Sequence, residues 1–130
     1  MLPGWAVVVV ALGYIDDTAF ARAKSGGLLR RGYGAGRVRH ALGEAGIAAE
    51  VQEEVAAGEG ERRRAALALA RKRRFGPFGA APTDRPLREK QLAAMLRAGH
   101  PLDFAREMVN AATIDAAEQW AAEADEDLDL

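Results

Sequence analysis

The side chains available for chemistry are few in kind: 18 lysines and arginines, 19 aspartates and glutamates, two histidines, one serine and no cysteine in 130 residues. Without cysteine there is no disulfide, no thiolate metal site and no sulfur nucleophile, and a reducing cytoplasm is the expected compartment. Nothing around Ser25 resembles the strained turn that activates a serine nucleophile. His40 and His100 fall near different predicted helix ends, without metal-ligand spacing or a legible carboxylate partner. Asp16 and Asp17 are adjacent carboxylates, but neighbours at a helix start diverge, and an N-cap accounts for them. Gly32, Gly34 and Gly36 suggest a phosphate cradle, yet no buried strand precedes them and no Lys-Ser or Lys-Thr follows. The spacing predicts a flexible inter-helix turn instead. No enzyme activity, metal or cofactor is expected; binding is.

The cations are the material for binding. Arg62, Arg63, Arg64, Arg71, Lys72, Arg73 and Arg74 lie on one predicted helix, and Arg30, Arg31, Arg37 and Arg39 flank a turn before it. At 100° per residue the helical seven point in every direction, so they read either as a solvated helix with snorkelling stems or, with the other four, as a basic surface for phosphates or a carboxylate-lined groove. Only Tyr33, Phe75 and Phe78 stand beside these cations, too few for a base-stacking platform. The formal net charge of −1 hides a split: residues 1–106 hold 18 basic and 11 acidic residues, net +7, and residues 107–130 hold eight acidic and no basic residue, net −8. Residues 113–130 are expected to form a solvated, disordered acidic tail, either merely solubilising or competing with polyanions for the basic helix.

Positioning these residues falls to short helices. Gly13 and Tyr14 stop one element, and the first new helix runs from Asp17 to about Ser25, weakened by Gly26-Gly27. Val38, Ala41, Leu42 and Ala45 make an apolar stripe over 37–45 that Gly46 ends, with Arg37 and Arg39 off the stripe. A short helix over 50–57 follows, and Glu59-Gly60-Glu61 separates it from a second trio at 61–75, 87–98 and 103–112. Gly46-Ile47 and Gly99-His100 mark equivalent stops in a degenerate repeat. Alanine supplies much of the 49 % hydrophobic content and aromatics only 6 %, so the cores must be thin and the helices stacked on neighbours. Trp5 to Leu12 is apolar but far too short to cross a bilayer, and it lacks the basic start of a signal peptide.

Gly13-Tyr14-Ile15-Asp16-Asp17 with Phe20-Ala21-Arg22, Arg31-Gly32-Tyr33-Gly34 with Arg37-Val38-Arg39 and Leu42, then Gly46-Ile47, together resemble the RecX family of bacterial recombinase regulators. The likeness continues through Ala68-Leu69-Ala70-Arg71-Lys72, Phe75-Gly76, Arg88-Glu89-Lys90, Gly99-His100 and Phe104. It implies an all-α fold, tandem three-helix units in a curved, elongated array. Residues 1–15 would be the last helix of a first unit whose two earlier helices this chain lacks, 16–58 the second unit, 59–112 the third and 113–130 the acidic tail. It further implies a monomer that binds the RecA recombinase filament on DNA, with weak direct DNA contact, and inhibits ATP hydrolysis, strand exchange and filament extension. The residues themselves reach only an elongated, basic, non-catalytic binder. A small non-specific DNA-binding helical module is the other reading, in which Arg37 or the Arg62 to Arg74 helix lies against the duplex.

Overall fold

Asp16 starts the first helix, its carboxylate accepting the Ala19 N–H at 3.0 Å. The computed structural model describes residues 16–80 and 84–128, so the expected helix remnant at 1–15 lies outside the described residues. Among the described residues seven α-helices follow in order: α1 (Asp17–Arg30), α2 (Ala35–Glu44), α3 (Ala49–Glu54), α4 (Glu59–Arg73), α5 (Arg85–Arg97), α6 (Leu102–Asn110) and α7 (Ile114–Leu128), with a 3₁₀ turn at Gly76–Phe78. Among the described residues there is no strand, and no helix is long and apolar enough to cross a membrane. The fold is all-α, two tandem trios followed by one further helix.

Three boundaries differ from the sequence reading. α1 runs through Gly26 and Gly27 to Arg30. Each interior glycine costs about 1 kcal/mol, but burial of Leu28 and Leu29 in the core holds the last turn, and the Arg30 guanidinium folds back over the space a Gly26 side chain would fill. α4 begins at Glu59, so Gly60 is a buried helical residue and not a separator. Residues 114–128 form a helix in place of the expected disordered tail. Thr113 Oγ1 caps it by accepting the Ala116 N–H at 3.0 Å, and Ala117, Ala121 and Ala124 are buried along one side.

The repeat is written in the helix ends. After α1, α2 and α5 the chain makes the same backbone bond, Tyr33 N–H to Leu28, Ile47 N–H to Leu42 and His100 N–H to Met95, around Gly32, Gly46 and Gly99 at φ of +97°, +77° and +99°. These are Schellman caps, which need a left-handed residue and therefore glycine. α4 ends alike, Phe75 N–H donating to Ala70, but its left-handed residue is Arg74 at φ 58°. Gly32-Tyr33-Gly34 and Arg74-Phe75-Gly76 are thus equivalent, and Gly32 becomes Arg in the second trio.

Each trio has its own apolar cluster. Leu28, Leu29, Val38, Leu42, Ile47 and Val55 form the first, and Leu69, Phe75, Met95, Phe104, Met108 and Val109 the second. α4 belongs to both, giving Ala65 to one and Ala66 and Leu69 to the other, and half-buried Tyr33 packs on both. The clusters are thereby joined through one helix and one ring.

Candidate partner interface

The junction between the trios sets the geometry of the first cation group. The Gly34 N–H donates to the Ala98 carbonyl at 2.8 Å and the Gly36 N–H to the Gly99 carbonyl at 3.0 Å. A Cβ on Gly34 would stand 2.5 Å from the Gly99 carbonyl group. The glycine triplet is therefore a close-packed seam, where a flexible turn was expected, and the Gly34 and Gly36 amides are used within the chain. His100, buried beside them, donates from Nε2 to the Gly32 carbonyl at 2.8 Å. Burial holds its pKa below 6.5, against the smaller opposing effect of that bond, so the ring is neutral and Nε2 carries the proton.

On this seam Arg31 and Arg37 both lie over the Tyr33 ring, 5.4 and 5.0 Å from its centroid. Arg30, Arg31, Arg37 and Arg39 are all exposed, and none of the four forms an ion pair among the described residues. Arg39 also lines a cleft of about 400 Å³ between α1, α2 and α3, with Leu29, Val38, Leu42 and Val55 among its walls.

The α4 cations are placed differently. Arg62 is half-buried, 5.9 Å from the Phe104 ring centroid. Arg63 is a clamp: its side chain is 16 % exposed, donates to the Trp120 carbonyl at 2.7 Å, pairs with Glu59 at 3.2 Å and Glu123 at 3.7 Å, and lies over the Trp120 ring. Arg64 grips both carboxylate oxygens of Asp125, at 2.7 and 2.6 Å, and Arg71 pairs with Glu118 at 3.9 Å. Lys72, Arg73 and Arg74 are exposed. Arg71 covers Phe78 and Arg73 covers Phe75, so a guanidinium already sits on each aromatic face beside the cations.

Other candidates are structural. His40 has a partner that the sequence reading missed, Glu44 one turn on at 3.1 Å, both exposed; the i, i+4 spacing was the available signal. Among the described residues no three His, Asp or Glu are grouped to hold a metal ion. The contribution of α7 was also missed, although Glu118 and Asp125 are spaced seven apart, as Arg64 and Arg71 are.

Residues 16–55 match the family model described as RecX, second three-helix domain. No curated protein and no solved structure matches the chain. The matched segment spans α1, α2 and α3, and the second trio repeats its helix order and end geometry; the chain carries a RecX three-helix domain in α1 to α3.

Proposed function

We propose that this chain is a non-catalytic regulator that binds the RecA recombinase filament in the cytoplasm and inhibits its ATP hydrolysis, strand exchange and extension, so regulating recombination and DNA repair. The observation that carries the reading is the match of residues 16–55 to a RecX domain. The exposed group of Arg30, Arg31, Arg37 and Arg39 on that same unit, without an ion pair among the described residues, supports it. These four are the leading contacts, because two of them are held on one ring at a rigid seam and reach a carboxylate or phosphate with little loss of side-chain freedom. Lys72, Arg73 and Arg74 extend the set along a second unit, and contacts from two joined units add avidity that one small trio lacks.

The test is RecA ATPase activity on single-stranded DNA, titrated with the full chain and with an R31E/R37E variant. Inhibition by the native chain, lost in the variant while its far-UV circular dichroism stays native, is expected. A native chain that leaves the ATPase rate unchanged at saturating concentration refutes the function; equal inhibition by both proteins refutes the assignment of these arginines.

A further inference from the structure

We infer that Arg64 and Arg71 on α4 form a binding surface for nucleic-acid phosphates, and that α7 masks this surface with Asp125 and Glu118 from within the chain. The two helices run antiparallel, since Arg64 meets Asp125 and Arg71 meets Glu118. On each helix the paired residues are seven apart, about 10.5 Å along the axis. α7 thus presents a line of negative charge in register with a line of positive charge, as a polyanion backbone would.

The mask and the clamp that positions it are separate groups. Trp120 packs edge-on against Phe104 at 5.0 Å and lies under Arg63, and Ala117, Ala121 and Ala124 are buried. These contacts hold α7 in place without Glu118 or Asp125. Arg64 and Arg71 keep side-chain exposures of 53 % and 56 %, so each guanidinium can turn from carboxylate to phosphate while α7 stays docked. Lys72, Arg73 and Arg74 stand exposed at the end of the same helix and supply the first electrostatic contact. Phosphates are the favoured partner because recognition here is by spaced charge alone. The bulky rings beside this surface are already committed, Trp120 to Phe104 and Arg63 and Phe78 to the Arg71 guanidinium, so neither offers a protein partner a free aromatic anchor.

The experiment measures binding of the full chain to bare duplex DNA by fluorescence anisotropy between 50 and 200 mM salt, with no recombinase present. Its outcome is therefore independent of the filament reading above. E118Q/D125N keeps the shape of α7 and frees both arginines. Two new phosphate contacts should steepen the slope of log K against log salt by about 1.8, at about 0.9 for each contact. The single variants E118Q and D125N should each give about half of that. E50Q/E54Q removes the same charge from exposed α3 positions and should leave the slope unchanged. Adding R64Q/R71Q to E118Q/D125N should return it to the native value. An equal change in E50Q/E54Q, a gain that survives R64Q/R71Q, or an unchanged slope in E118Q/D125N overturns the proposal.

Discussion

Gly34→Ala isolates the seam, because alanine suits the backbone there and only its methyl group is unwelcome. Gly34 has φ −93° and ψ 177°, extended values that any residue adopts. The added Cβ would lie 2.5 Å from the Gly99 carbonyl carbon and oxygen and 2.7 Å from the His100 nitrogen. All three are backbone atoms, so relief requires the two trios to separate. Overpacking of this kind costs about 1–3 kcal/mol. Separation also stretches the Gly34–Ala98 and Gly36–Gly99 hydrogen bonds, worth about 0.5–1.5 kcal/mol each. Alanine restricts the unfolded chain and returns roughly 0.4–1 kcal/mol. The expected net loss is about 2–4 kcal/mol, taking the middle of those ranges. Gly43→Ala is the internal control: Gly43 lies inside α2, its Cβ would meet nothing within 4 Å, and the change should stabilise by about 0.5–1 kcal/mol. Urea denaturation followed by helical circular dichroism reads both. Equal effects of the two substitutions, or a Gly34→Ala loss below about 0.5 kcal/mol, would refute a close-packed junction.

Three further outcomes are expected. His100 is held neutral in the fold, so below pH 6.5 the unfolded chain binds a proton that the folded chain refuses; stability is fully present above pH 6.5 and falls as pH drops through the depressed folded pKa. A His100→Asn variant should lose less stability than the native chain between pH 7.5 and pH 5, and parallel losses would contradict this. Arg74→Gly should raise stability by up to about 1 kcal/mol, since a left-handed non-glycine residue costs roughly 1–2 kcal/mol and the equivalent position is Gly32; a fall in the melting midpoint would show that the Arg74 side chain contributes more than its backbone costs. Gly99→Val should cost about 1 kcal/mol or more through left-handed strain, and more still because its Cβ would strike the Arg37 backbone; an unaltered midpoint would count against it.

The sequence announced the trios and their stops because those features are local. Gly46 and Gly99 each end a periodic apolar stripe, and both take the left-handed conformation that the stop requires. The stop after α1 was harder to place: Gly26-Gly27 is a stronger local breaker than Gly32, and only burial of Leu28 and Leu29 decides between them. The seam was illegible for another reason. Gly34 and Gly36 look like conformational freedom, yet Gly34 takes an extended backbone that alanine also adopts, and its partner lies at Gly99, far along the chain. A single sequence marks a glycine kept for space in the same way as one kept for flexibility.

The acidic end misled through the same locality. Seven carboxylates without a basic residue in 113–130 repel one another in isolation, and isolation was the assumption behind a disordered tail. Opposite charge at matching seven-residue spacing on α4, the Thr113 cap and the Ala117-Ala121-Ala124 seam reverse that balance. Each signal lies in the sequence, but their meaning depends on an antiparallel register that only the fold supplies. The consequence reaches function, because eleven cations that look like one basic surface become two groups. Those at the Tyr33 seam form no ion pair among the described residues. On α4, Arg63 is spent on Trp120, while Arg64 and Arg71 are balanced by α7, so the chain's own acidic helix decides how much of its positive charge a second molecule first encounters.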